Sequence, residues 1–292
     1  MRPVIAWIAA IVAGILAPLA LVGFWADRTL DDPRPYVQAM GEAWQDPQLR
    51  EEVGESMLDI AEGDLDDLLS DNLGGLAGLF RITPEFVQSL QPQFEEALNS
   101  TAFEQAWLRW HWNLHGDLAE YARGGTPDTT VVGSQSLTVD VGPLIIPIVS
   151  ETIGSFAAGF IEGLEVLVEV ETEPGLDQQL LLLGGVADWR WGFLLAAIAM
   201  GYLAWRLLPG RARALGTVLI AVGIGSVVFG LLFPLAAALG QEPAEATLFA
   251  ETAEGALTSG MPGWLFIMAA ITGIAGVLLT VSARRAPDLE SA

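Results

Sequence analysis

Apolar and polar positions follow three rhythms along the chain. Val4 to Phe24 is an unbroken apolar run behind Arg2. Three further runs follow near the other end: Trp191 to Trp205, Ala214 to Gly240 and Pro262 to Ala283. About 20 residues at about 1.5 Å each cross the hydrocarbon core of a bilayer. The second run is short, but it extends through Leu207 and Leu208 if Arg206 snorkels to the interface. The runs predict four transmembrane α-helices at 4–24, 191–208, 214–240 and 262–283. A cleaved signal peptide is the alternative for the first run. Its long apolar core and the lack of a clean A-x-A site speak against that.

Residues 25–190 carry the other two rhythms. Asp46-Pro47 has the form of an N-cap followed by Pro at the first helical position, and Leu49, Val53, Met57 and Ile60 then recur at helical spacing. Thr83-Pro84 starts a second helix with Val87, Leu90, Phe94 and Leu98 on one face. Thr101-x-x-Glu104 reads as a capping box opening a third. After Gly124-Gly125 the period becomes two. Thr129–Val132 and Gln135–Val141 predict a hairpin turning at Gly133-Ser134. A helix with Ile145, Ile148 or Val149, Thr152, Phe156 and Phe160 inward comes next. Glu165 to Glu171 alternates valine with glutamate as a third strand. The fold class is therefore a membrane protein: four transmembrane α-helices plus an extracytoplasmic α+β domain of several helices and a small three-stranded sheet.

Arginine placement sets the expected orientation. All 13 basic residues are Arg. Arg2, Arg206, Arg211, Arg213, Arg284 and Arg285 flank the runs on one side, which should be cytoplasmic. Both termini and the tail 284–292 then lie inside, and the acidic loop 241–261 and the domain 25–190 lie outside. The inner segments carry +4 and the outer ones −27, together the −23 of the chain. Trp25, Trp189, Trp191 and Trp264 fall at the outer interface, and Trp7 and Trp205 near the inner one.

The composition narrows the function. The chain is 52% hydrophobic with mean hydropathy +0.46, as membrane spans require. It has no cysteine, hence no disulfide, thiolate metal site or cysteine nucleophile. So acidic a surface repels nucleic acid, which is not expected as a partner. The span cores hold no Asp, Glu, His or Arg, the groups that pumps and proton-coupled transporters need at depth. Ser226-x-x-x-Gly230 and Thr272-x-x-x-Gly276 are small-residue pairs that fit close helix packing.

The candidate chemistry is confined to the helix opened at Thr101. His111 and His115 are the only histidines, one turn apart in HWNLH. Two histidines at i and i+4 can grip one metal ion. Trp112 stands where a zinc protease has its general-base Glu, and Glu104 is seven residues from His111, about 10 Å along the axis. On a helical wheel Phe103, Trp107, Trp110, Leu114, Leu118 and Tyr121 form the core stripe, with His111 on its flank and His115 at its edge. The plainer expectation is a half-buried pair bonded to neighbouring polar groups, with His111 and His115 kept as the candidate metal ligands. Asp59 to Asn72 is acidic but lacks calcium-loop spacing. Asn99-Ser100-Thr101 matches a glycosylation sequon. No G-x-S-x-G or phosphate loop occurs. No catalytic residue and no cofactor are expected.

Several segments carry a resemblance. Trp25-Ala-Asp-Arg-Thr-Leu-Asp31, Tyr36-Val37 and Asp46-Pro47, with Phe103, Trp107 and His115 and the junction Leu137-Thr-Val-Asp-Val-Gly-Pro143, resemble a family of actinobacterial integral membrane proteins of uncharacterised function. The resemblance implies a four-span plasma-membrane protein with one extracytoplasmic domain. It points to His115 as the more recurrent histidine, and implies no activity. The leading expectation is a non-enzymatic envelope protein. Its partners would be the lipid bilayer, an envelope protein or wall component, or other copies of itself. The alternatives are a membrane-bound metal-dependent hydrolase using His111 and His115, and a permease-like subunit of an ATP-driven mechanotransmission complex. The short cytoplasmic segments leave an ATPase little to grip.

Overall fold

A computed structural model describes residues 2–63, 92–152, 166–172, 175–240 and 261–285. Its elements run α1 (Arg2–Asp31), α2 (Arg34–Ala43), α3 (Pro47–Gly63), α4 (Thr101–Ala122), β1 (Thr130–Val132), β2 (Ser136–Asp140), α5 (Gly142–Thr152), β3 (Leu167–Glu171), α6 (Leu176–Asp188), α7 (Arg190–Leu207), α8 (Arg211–Gly240) and α9 (Met261–Arg285). Residues 92–98 are also helical. The helix start at Thr83-Pro84, Phe156 and Phe160, nearly all of the acidic loop 241–261 and the end of the tail lie outside the described residues.

Among the described residues, three helices are long and apolar enough to cross a membrane: α1, α8 and α9. The expected span 191–208 coincides with α7. It meets the same standard only when joined to α6, from which it is bent by 55°. The physical reason is length. The apolar run of α7 lies between Arg190 and Arg206, and 15 residues reach only about 22 Å.

α1 exceeds what a bilayer needs. Its 30 residues form one continuous helix, about 45 Å long. It runs past the end of the apolar stretch at Phe24, so the expected boundary at residue 25 falls inside a helix. Its far end, with Ala26 and Leu30 buried, packs on α4 and α6. Its first half packs on α7 and α8, and α8 lies along α9.

The membrane helices approach through glycines. A Cβ on Gly14 of α1 would sit 2.6 Å from the Ala221 carbonyl oxygen of α8, and one on Gly225 would strike the Gly14 carbonyl. Across the α8–α9 contact, a Cβ on Gly216 would sit 2.7 Å from the Gly276 carbonyl oxygen, and one on Gly276 would sit 2.8 Å from that of Gly216. Small residues bring backbones together where apolar burial supplies no drive, because lipid is as apolar as leucine. Of the small-residue pairs, Gly230 meets Phe266 and Leu265, and Gly276 meets Gly216. The hydroxyls of Ser226 and Thr272 instead bond back to the Val222 and Met268 carbonyls of their own helices.

The remaining elements form an α+β portion. Its antiparallel sheet has the order β1-β2-β3, with Val139 opposite Thr130 and Val168. Val139, Val141, Val166 and Leu114 make its buried core with α4. The strand expectations hold with one shift. Val132 pairs with Leu137, so the hairpin turns on Ser134-Gln135, not Gly133-Ser134. The carbonyls of Ser134 and Gln135 accept from the N–H groups of Gly175 and Thr172, which fixes the reversal there.

We expect Gly225→Ala to lower the stability of the helix bundle in detergent by about 1–3 kcal/mol, an overpacking cost. Gly273→Ala should be near neutral, because its Cβ meets nothing within 4 Å. Thermal melts of the two variants beside the parent chain check the contrast.

Candidate functional site

The site is assembled by three helices, α1, α2 and α4. α4 begins one residue earlier than a Thr101 cap implies. Ser100, in extended conformation, is the N-cap, and its hydroxyl accepts from the Phe103 N–H at 3.1 Å. Glu104 is not part of a capping box; its carboxylate accepts from the Gln45 side chain. At α3 the expected start holds, since the Asp46 carboxylate accepts from the Gln48 N–H at 2.9 Å.

α4 is covered on more than one side, and this rotates its buried face toward the histidines. Phe103 and Trp107 pack with Tyr36, Met40 and Trp44. Leu114 packs on the sheet, and Ala119 and Ala122 on the end of α1. Trp110, Leu118 and Tyr121, expected in the core stripe, are only half-buried. His111 and His115, expected on the flank and edge, are 0% and 4% exposed. The wheel placed the apolar side chains but not the second packing partner, the α1–α2 corner.

His111 sits in an aromatic box. Its ring is edge-on to Trp107 and Trp110, with centroids 4.4 and 4.8 Å away. Its Nδ1 shares a hydrogen bond of 2.9 Å with the Tyr36 hydroxyl. Burial in this box pushes the His111 pKa down to about 3 and raises that of Tyr36. Both rings are therefore neutral at physiological pH.

His115 has a different task. Its Nε2–H donates to the Thr29 carbonyl at 2.8 Å. In an uninterrupted helix that carbonyl would accept from the residue four positions on. Here that residue is Pro33, which has no N–H. His115 supplies the missing donor and so caps the end of α1 from a helix 86 residues away in sequence. Burial lowers the His115 pKa; the bond to Thr29 and nearby Asp32 oppose this, and Arg123 adds to it.

Ion pairs reinforce the same corner. Arg123, just past α4, pairs with Asp31 at the end of α1. Arg190 pairs with Asp27 at 3.0 Å and also donates to the Ala187 carbonyl. α6 fills the remaining side so closely that a Cβ on Gly184 would strike the Ala122 carbonyl. On the sheet side, Asp140 accepts from the N–H groups of Gly142 and Val166 at 2.9 and 3.0 Å, and its own carbonyl accepts from Trp110 Nε1 at 2.7 Å. Asp117 accepts from the Thr129 and Thr130 hydroxyls and ties α4 to β1.

One of these bonds engages a ring nitrogen that a metal would otherwise use. Nε2 of His115 carries a proton toward Thr29, so that nitrogen has no lone pair for a metal. Among the described residues no group of three His, Cys, Asp or Glu side chains could hold a metal ion. Sequence reasoning named Tyr36 and Thr29 only within the resemblance and did not connect them to the histidines. The Pro33 that strands the Thr29 carbonyl is visible in the sequence, but its distant donor is not.

No protein-family model, curated protein or solved structure matches the chain.

Two outcomes follow from the bonding. His115→Ala should cost about 1–3 kcal/mol by stranding a part-buried carbonyl and emptying the space of a buried ring, and His115→Gln, which keeps a donor, should lose less; chemical denaturation of both variants checks this. For His111 the folded pKa is about 3 against 6.5 in the unfolded chain. The unfolded state thus binds the extra proton between these values, and stability falls as pH drops through that window, by up to about 1.4 kcal/mol per unit. His111→Phe should remove that part of the slope in melts taken from pH 7 to pH 4.

Proposed function

We propose that the chain is a non-enzymatic integral membrane protein of the cell envelope, its acidic α+β portion lying on the extracytoplasmic side as a binding or assembly module. The observation that carries this reading is the use made of the histidines. One stacks in an aromatic box and the other caps a membrane helix. A side chain that holds a span to a folded portion serves positioning. A hydrolytic centre would need a free imidazole lone pair facing solvent or metal.

Two further facts support it. Arginines flank the ends of α1, α7, α8 and α9 that are expected to be cytoplasmic, and the acids lie at the other ends. The segments that resemble the actinobacterial membrane family also converge in space. Thr29 and Asp31 come from the first, Tyr36 from the second, Trp107 and His115 from the α4 segment, and Asp140 from the strand junction. In this reading they mark a shared joint between anchor and domain.

The test uses the full chain in detergent, since the end of α1 belongs to the core. Metal content is measured beside photo-crosslinking in cells with a reactive residue at Trp112, an exposed position of α4. Absence of metal with a discrete crosslinked band is the expected result. Stoichiometric zinc or manganese, lost in His111→Ala/His115→Ala, would overturn the reading in favour of a metal-dependent hydrolase.

A further inference from the structure

We propose that α6 is an interfacial helix whose exposed face lies in the headgroup layer of the bilayer and seats the α+β portion against the membrane surface. This rests on the membrane reading given above and adds a second attachment to it.

The exposed face begins with Gln178 and Gln179 and turns apolar toward the bend. α6 buries Leu180, Gly184 and Ala187 against α1 and α4. On the opposite side Leu181, Leu182 and Trp189 are 44%, 68% and 67% exposed. Single exposed leucines mean nothing. What matters is what meets it at the bend. Leu182, Gly185 and Trp189 keep helical spacing on α6, and Trp191, Leu195, Ile198 and Tyr202 keep it on α7, a helix packed on α1 and α8. Trp189 and Trp191, both exposed and two residues apart, stand where the two exposed rows meet.

The height and angle fit. Val186 of α6 lies against Gly23, at the end of the apolar run of α1, while Leu180 packs with the group that contains Ala26 and Leu30. Leu30 is six residues beyond Phe24, about 9 Å along the axis. The headgroup layer is about 5–8 Å thick on each side. The 13 residues of α6 span about 20 Å and, inclined 55° to α7, rise only about 11 Å from the boundary. With α7 along the bilayer normal, Leu182, six residues before Asp188, lies about 5 Å from the boundary and within the headgroup layer, while the start of α6 stands beyond it. α6 has Asp177 and Asp188 and no basic residue, so the matching surface is zwitterionic lipid and not an anionic one.

The chain has no cysteine, so single substitutions give unique labelling sites. Nitroxide labels at Leu182→Cys, Leu195→Cys and Trp112→Cys of the full chain, reconstituted in phosphatidylcholine vesicles, report depth through collisions with oxygen and with a water-soluble nickel chelate. The expected order is Leu195 deep, Leu182 shallow but several-fold more oxygen-accessible relative to nickel than Trp112, and Trp112 aqueous. An aqueous reading at Leu182 with Leu195 deep overturns the inference and leaves the membrane reading intact. A reading at Leu182 as deep as Leu195 overturns it too, making α6 part of a bent span. Shielding of Leu182 from both reagents overturns it in favour of a protein contact. An aqueous reading at Leu195 overturns the membrane reading itself.

Discussion

A carbonyl without a donor organises this molecule. Proline at position 33 ends α1 and withdraws the N–H that Thr29 would use. The last carbonyls of any helix need partners from elsewhere. A stranded one that packed helices cover in part costs about 1 kcal/mol or more. His115 meets that need, and in doing so it fixes the rotation of α4 and the depth at which α4 crosses α1. Tyr36, three residues after the proline, is placed by the same corner to reach His111. The aromatic cluster of Trp44, Phe103 and Trp107 then closes over it.

The charges are arranged to suit that corner. The chain holds far more acids than arginines, so each arginine has several acids to choose from. Arg123 and Arg190 both bind aspartates in the last turns of α1, Asp31 and Asp27. Both pairs are partly exposed, and such pairs individually contribute little. Their value lies in direction: one bonds α1 to the end of α4, the other to the start of α7. The imidazoles themselves are kept uncharged by burial, which suits rings whose work is stacking and donation.

Much of this was legible in the sequence. Period-two alternation located the strands of the sheet, and the Asp46-Pro47 signal located α3, because both depend on neighbours within a few residues. The shifts arose where distant partners intervened. The hairpin moved by one residue because Thr172 and Gly175 bond to it. The α4 face turned because two packing partners share it. The histidine pair was noticed, but its partners Thr29 and Tyr36 lie on other helices, and no local pattern names them. The span at 191–208 was the weakest expectation for a simple reason of length, and its bend toward α6 was not encoded in any local pattern.

The unbroken length of α1 has a mechanical meaning. A continuous helix about 45 Å long, tilted by about 10° about its first turn, carries its far end about 8 Å sideways. Helices tilt by such amounts when the hydrocarbon thickness around them changes. Because Thr29 and Asp31 are bonded to α4, that sweep is delivered to a folded body and is not lost in a loose tether. A tilt of α1 would therefore reach the α+β portion through that joint.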